Sequence, residues 1–253
     1  MSAFLKKLLS LFKSEETRFI QLFKEEVELK KFVDLKSIPS KVSKRKRLII
    51  VDAFISSNKI EGVLIVKYMH FLSIKNSEYS RLKTTLKSAG TLELSIFQER
   101  WLVKNKIINS FLQSIGKGVM GSQNYFTDQY LKNKIITTLR NVEEEYNLGE
   151  LSDDMQLSLT QIVANVRKLI NENSITGVVK DNSTYMSTDS FEELFLKHIE
   201  EQINTVTELS FSDIANTLGV LDEYIENYIM KHVKEYPNLI VVYPLEKKIV
   251  IKK

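Results

Sequence analysis

The sequence predicts a mostly α-helical fold with small β-hairpins, or wings, assembled as a tandem array of about four small domains. The first observation is a repeat of about 60 residues, in which a helix and a turn precede two short apolar strands. Its clearest copy runs from Val166 to Ser187, and an earlier copy runs from Asp52 to Leu64. The second observation is that 3 prolines and 8 glycines in 253 residues leave no room for a long flexible linker. A repeat of this size is marginally stable alone, so we expect neighbouring repeats to share apolar faces.

The last repeat, residues 189–253, shows the order of elements best. Ser190 and Glu193 have the spacing of a capping box, and apolar residues three and four apart follow them in a predicted first helix. The remaining predicted elements are a strand over 205–209, a helix over 212–219, a third helix from Asp222 to Pro237, and strands over 239–243 and 249–251. Helix, strand, two helices and a two-stranded wing form the order of a winged-helix domain.

The earlier repeats follow the same order less clearly. In the third, residues 127–188, we predict a helix over 126–146, a connector over 148–152, a helix over 159–171 and a hairpin over 175–186. In the second, residues 76–126, we predict a helix over 79–87, a strand over 91–94 and a helix over 104–115. In the first, residues 15–75, we predict helices over 15–31, 35–42 and 44–56. First helices are expected to pack on the wing of the preceding repeat.

Residues 1–14 precede the repeats and are predicted to form an amphipathic helix. Lysines occupy one arc of its helical wheel, and bulky apolar residues occupy the other: Phe4, Leu5, Leu8, Leu9, Leu11 and Phe12. Such a face suits docking on a protein, which we favour, and it also suits contact with an anionic membrane surface. Both interpretations remain open from the sequence.

A basic run lies at the start of the third helix of the first repeat: Lys41, Lys44, Arg45, Lys46 and Arg47. In winged helices that bind DNA, this helix enters the major groove and basic residues contact phosphates. The corresponding helix of the last repeat opens with Asp222, Glu223 and Glu226, which would repel phosphate. We therefore favour a solvated helix start, or a basic patch for an acidic protein, over a nucleic-acid site.

The composition excludes several kinds of chemistry. The sequence has no cysteine, so these residues can form no disulfide, thiolate zinc site or thiol nucleophile. The 3 histidines are scattered without the spacing of metal ligands. The segment from Gly116 to Gly121 lacks the ending of a phosphate-binding loop and is interpreted as a wing turn. We predict no catalytic, cofactor or metal site, and a cytoplasmic location with possible peripheral contact at a membrane.

One stretch of the sequence resembles a known family. It includes a wing beginning at Gly118, a long helix, the phrase Ile175-Thr-Gly-Val178, another helix, and the run Leu209 to Gly219. This order resembles the tandem winged-helix ligase that attaches the ubiquitin-fold modifier, and that ligase's winged-helix adaptor. It is similar, more generally, to proteins with PCI domains. The resemblance implies a scaffold without a catalytic cysteine, which holds a charged conjugating enzyme near its target.

A second resemblance is to the subunits of ESCRT-II, which are also tandem winged helices and work at membranes. The sequence therefore supports a non-catalytic scaffold whose partner is a ubiquitin-like conjugating enzyme or another winged-helix protein. The alternatives are a membrane-associated subunit and, less favoured, a winged-helix DNA-binding protein. No cofactor is expected under any of these interpretations.

Overall fold

The structure is a computed structural model that describes residues 3–95, 97–98, 104–203, 205–232, 234 and 240–252, with only the main chain for residues 3–14. Helices dominate the described ranges, and four small three-stranded antiparallel sheets accompany them. The predicted class, mostly α with small β-hairpins, is confirmed. The chain divides into two compact units, the amino-terminal unit (residues 1–130) and the carboxy-terminal unit (residues 131–253).

The first repeat begins with a long helix. Within the described residues, the predicted helices over 1–14 and 15–31 form one continuous helix from Ala3 to Leu29. The elements of this repeat are α1 (Ala3–Leu29), β1 (Phe32–Asp34), α2 (Lys44–Ser56), β2 (Gly62–Ile65) and β3 (His70–Ser73). The helix predicted over 35–42 does not form, and turns occupy this segment instead. Pro39 explains the difference, because proline disfavours helical geometry at the preceding residue and has no N–H to donate.

The second repeat follows without a long connection. Its described elements are α3 (Asn76–Ala89), β4 (Thr91–Glu93), α4 (Asn105–Ile115), β5 (Gly118–Met120) and β6 (Asn124–Thr127). These positions agree with the predicted helices and strand to within a few residues. The helix α3 packs on the wing of the first repeat, where Leu82 and Leu86 share one buried cluster with Ile65 and Leu72. The expected packing of a first helix on the preceding wing is therefore present in the amino-terminal unit.

The third repeat contains a helix that the sequence analysis missed. Its elements are α5 (Asp128–Leu139), β7 (Glu145–Asn147), α6 (Leu148–Met155), α7 (Leu159–Asn171), β8 (Val178–Lys180) and β9 (Thr184–Met186). The predicted connector over 148–152 is the start of α6. Its apolar side chains Leu148, Leu151 and Met155 are spaced for one helical face and are all buried, so packing outweighs the low helix propensity of Gly149.

The fourth repeat follows the predicted order most closely. Its elements are α8 (Thr188–Gln202), β10 (Glu208–Ser210), α9 (Phe211–Leu218), α10 (Asp222–His232), β11 (Ile240–Tyr243) and β12 (Lys248–Ile251). The predicted capping box at Ser190 is wrong by one turn. Ser187 is the N-cap of α8 and accepts from the Ser190 amide at 3.2 Å. The predicted helix end at Pro237 lies outside the described residues.

The four sheets share one strand order. The orders are β1-β3-β2, β4-β6-β5, β7-β9-β8 and β10-β12-β11, so the last strand of each repeat lies in the middle of its sheet. In the carboxy-terminal unit, α8 packs on the preceding wing, because Phe191 and Phe195 share a buried cluster with Val178 and Met186. The turn of that wing also reaches the fourth repeat, where the Asp181 amide donates to the Gly219 carbonyl at 2.7 Å. The third and fourth repeats are thus joined by packing and by a main-chain hydrogen bond.

Candidate interaction surfaces

The titratable side chains of the described residues bear on metal binding and on the hydrogen bonding of the histidines. Among them, no group of three or more His, Asp or Glu side chains could hold a metal ion. His198 is buried, its Nε2 has no hydrogen-bond partner among the described residues, and burial lowers its pKa below the ordinary value. Burial also lowers the pKa of His70, although Asp34, 3.9 Å away, opposes that shift. Both histidines therefore favour the neutral form.

The predicted basic patch lies at the start of α2, and four of its five residues are exposed: Lys41, Lys44, Arg45 and Lys46. Ser43 caps the helix by accepting from the Lys46 amide at 3.4 Å. Two carboxylates of α1 approach the same place. Glu16 forms an ion pair with Lys46, and Glu15 accepts from the main-chain amide of Lys41 at 3.0 Å. Part of the positive charge is thus balanced within the amino-terminal unit.

Arg47 does not belong to the exposed patch, and its assignment there is wrong. Its side chain is only 7% exposed, and its guanidinium lies 5.4 Å from the ring of Phe19. It donates to carbonyl oxygens of the non-helical segment 35–42: Val42 at 2.9 Å, Leu35 at 2.5 Å, Ile38 at 2.9 Å, Ser40 at 2.5 Å and Lys36 at 3.5 Å. Arg47 thus replaces the internal hydrogen bonds that a helix in this segment would have made.

The other repeats show why this position is buried. Arg47 is the fourth residue of α2, and the fourth residues of α4, α7 and α10 are Ile108, Ile162 and Ile225. All three isoleucines are buried. In the third and fourth repeats a helix, α6 or α9, precedes this position and satisfies its own carbonyl groups. In the first repeat the preceding segment is not helical, and a donor-rich side chain takes the place of the isoleucine.

A groove in the carboxy-terminal unit lies between the end of α7, the segment 173–177 that leads into the edge strand β8, and the helix α10. Its volume is about 530 Å³. Polar amides of Asn171 and Asn227 line opposite walls, with Thr176, Tyr224 and Lys231 beside them. Its two walls lie in sequence segments that local periodicity does not connect, so the sequence analysis missed it. A concave surface lined by amides can bind an extended protein segment.

Residues 175–177 of the phrase Ile175-Thr-Gly-Val178 line this groove, and the phrase also has a structural role. Gly177 has φ of +135°, and a Cβ there would lie 2.5 Å from the Met186 carbonyl oxygen. Only glycine lets this strand approach β9 so closely. Gly62 and Gly118 begin β2 and β5, the first strands of the first and second wings, with equally close approaches to the neighbouring strand. The recurring Gly-Val pair is therefore the start of a wing.

The predicted apolar face of the amino-terminal helix cannot be placed, because the side chains of Phe4, Leu5, Leu8, Leu9, Leu11 and Phe12 lie outside the described residues. Their main chain is helical and continuous with α1. None of the helices in the described ranges is long and apolar enough to cross a membrane.

Comparison with known proteins agrees with the resemblance. The model of one family, E3 UFM1-protein ligase 1, matches residues 60–225, which include most of the groove, two of the four sheets completely and part of the other two. The comparison with curated proteins finds no match to the chain. The family match covers well over half of the 253 residues. The chain therefore belongs to the E3 UFM1-protein ligase 1 family and takes an E3-type role in ufmylation.

Proposed function

We propose that the chain is a non-catalytic scaffold, which recruits a conjugating enzyme charged with a UFM1-type modifier and promotes transfer of the modifier to a target. The observation that carries this proposal is the absence of cysteine from these 253 residues. A ligase that accepts the modifier itself needs a thiol to form the thioester. Without one, these residues can act on the transfer only by binding and positioning the charged enzyme.

We place the recruitment on the groove between the end of α7, the segment 173–177 and α10. Three features support this choice: the groove is concave, its polar amides can pair with a peptide main chain, and it lies mostly within the matched segment. When a segment of the conjugating enzyme enters the groove, the main chain of that segment would cover the exposed side-chain amide of Asn227.

A single-turnover assay tests the proposal. The conjugating enzyme is loaded with a UFM1-type modifier, and loss of the thioester to free lysine is followed with and without the chain. We expect the chain to accelerate the discharge. The modifier should not form a reductant-sensitive thioester on the chain itself. Asn227→Arg places a long cation in the groove and should reduce the acceleration at least about tenfold. The matched control is Asn216→Arg, at an exposed position of α9 outside the groove lining, and it should behave as the unmodified chain. Equal discharge with and without the chain, at saturating chain concentration, would contradict the proposed function.

We further propose that each of the four repeats is a winged-helix domain, with bounds near 15–75, 76–126, 127–188 and 189–253. The support is the shared strand order of the four sheets and the helix that precedes each hairpin. Limited proteolysis checks the bounds. Cleavage that falls mainly within the predicted domains, and not near their bounds, would argue against this division.

The amphipathic residues 1–13 leave a choice between docking on a protein and peripheral contact with a membrane. Flotation with vesicles containing phosphatidylserine separates the two, when the chain is compared with a variant in which Leu8 and Leu9 are replaced by aspartate. Flotation that the substitution abolishes would support membrane contact. Absence of flotation at low salt would leave protein docking as the role of this helix.

A further inference from the structure

The first turn of α2 carries positive charge, which does not stabilise a helix at its amino-terminal end. Lys44 and Arg45 are exposed, and neither forms an ion pair with another residue that the structure describes. Cations at the amino-terminal end of a helix oppose the helix dipole, so these side chains do not stabilise α2 itself. One turn further along, Ile49 is 59% exposed, which places an apolar side chain beside the charges.

A stripe on α10 has the complementary composition. Asp222, Glu226 and Met230 follow one another at intervals of four residues and so lie along one side of the helix. Asp222 is exposed and has no ion pair among the described residues, Glu226 is bonded to Lys247 at 2.8 Å, and Met230 is 48% exposed. This stripe differs from the side of α10 that lines the groove, which presents Tyr224, Asn227 and Lys231.

The two helices occupy the same place in their repeats. The elements α2, β2 and β3 begin at residues 44, 62 and 70, and α10, β11 and β12 each begin 178 positions later. Lys44 and Asp222 are therefore equivalent positions with opposite charge. The first and last repeats thus place helices of opposite charge, α2 and α10, at equivalent positions. Each of these helices also carries an exposed apolar residue.

We infer that the chain associates with further copies of itself, through contact of Lys44, Arg45 and Ile49 of one copy with the Asp222–Glu226–Met230 stripe of another. Opposite charges guide and register the contact, while Ile49 and Met230 lose exposed apolar surface in it. The contact joins two different surfaces, so it can close into a small ring or continue as an open chain of copies. Residues 44–49 lie outside the segment matched by the family, and this inference does not depend on the proposed function.

Sedimentation of the purified full chain tests the inference, with circular dichroism to confirm that each variant is folded. At about 50 mM salt, where the Debye length is about 14 Å, the average mass should rise above 29.3 kDa as the concentration increases. At about 500 mM salt, where it is about 4 Å, the association should weaken. Two variants reverse the charges: Lys44→Glu with Arg45→Glu, and Asp222→Lys with Glu226→Lys. Each alone should require at least about tenfold higher concentration to associate.

An equimolar mixture of the two variants provides the decisive comparison. The acidic α2 of the first variant then meets the basic α10 of the second, and the unchanged ends pair in the same way. Association restored in the mixture supports the inference, because loss of fold or of general solubility would not be rescued by mixing. A chain that stays at 29.3 kDa at every concentration in low salt overturns it, and so does a mixture that associates no better than either variant alone. Asn171→Arg, on the opposite wall of the groove, should associate like the unmodified chain, which separates this contact from the groove.

Discussion

Replacing Arg47 by isoleucine should destabilise the amino-terminal unit, although isoleucine occupies the equivalent position in the other three repeats. The substitution leaves the carbonyl oxygens of Leu35, Ile38 and Val42 without their donor, and all three bonds are buried. A buried polar group without a partner costs about 1–3 kcal/mol. Three such groups would cost about 3–9 kcal/mol, and loosening of the segment admits water and lowers this to about 3–5 kcal/mol.

Urea unfolding followed by circular dichroism measures the loss, since about 3–5 kcal/mol is a large share of the stability of an ordinary domain. Amide hydrogen exchange locates it, and residues 35–42 should lose protection first. The matched control is Arg45→Ile, on the same helix but exposed, and it should change the unfolding free energy by less than about 0.5 kcal/mol. Arg47→Lys keeps the charge but has three donors in place of five, so it should fall between the two. If Arg47→Ile unfolded at the same urea concentration as Arg45→Ile, the carbonyl oxygens would not need this partner and the reasoning would fail.

Three further predictions concern single side chains. Gly177→Ala should lower the melting temperature of the carboxy-terminal unit, because the new Cβ would lie 2.5 Å from the Met186 carbonyl oxygen. Gly116→Ala is the control and should be nearly neutral, because its Cβ would have no neighbour closer than 3.7 Å. Equal melting temperatures for the two variants would contradict this. Burial lowers the pKa of His198, so the unfolded chain binds more protons than the folded chain. Stability should therefore fall as the pH drops below about 6.5. In His198→Gln, the urea midpoint should change less between neutral and mildly acid pH. Burial, with a smaller effect of Asp128, raises the pKa of Tyr125 to about 12, so stability should fall as the pH rises above about 10, and an equally steep fall in Tyr125→Phe would refute this cause.

The parts of the fold that sequence reasoning predicted are those with strong local signals. The fourth repeat is an example: Gly219 has φ of +70° and ends α9, as its position after an apolar helix indicated. The strand order and the four-sheet architecture are consistent with the repeat of about 60 residues. By contrast, α6 depends on burial of Leu148, Leu151 and Met155 by the rest of its repeat, which no local propensity indicates.

Two of the errors have one cause. The sequence analysis placed a helix over 35–42 and an exposed cation at Arg47. Once Pro39 prevents that helix, its carbonyl groups need a donor, and the nearest long donor-rich side chain on α2 must turn inward. A basic run therefore predicts a charged surface only where the carbonyl groups of the neighbouring main chain already have hydrogen-bond donors. Of the candidate surfaces, the exposed charges of α2 were visible in the sequence, whereas the groove required coordinates.

The guanidinium of Arg47 recognises only main-chain oxygens of the segment 35–42, and this has a consequence for how the segment can change over evolution. Every amino acid offers the same carbonyl, so exposed side chains such as Lys36, Ser37 and Lys41 can drift without disturbing the bonds. Insertions and deletions are different, because they would shift the oxygens away from a donor of fixed shape. Among homologues, we expect the exposed positions of this stretch to vary freely in composition, and its length to vary hardly at all, wherever the arginine is retained.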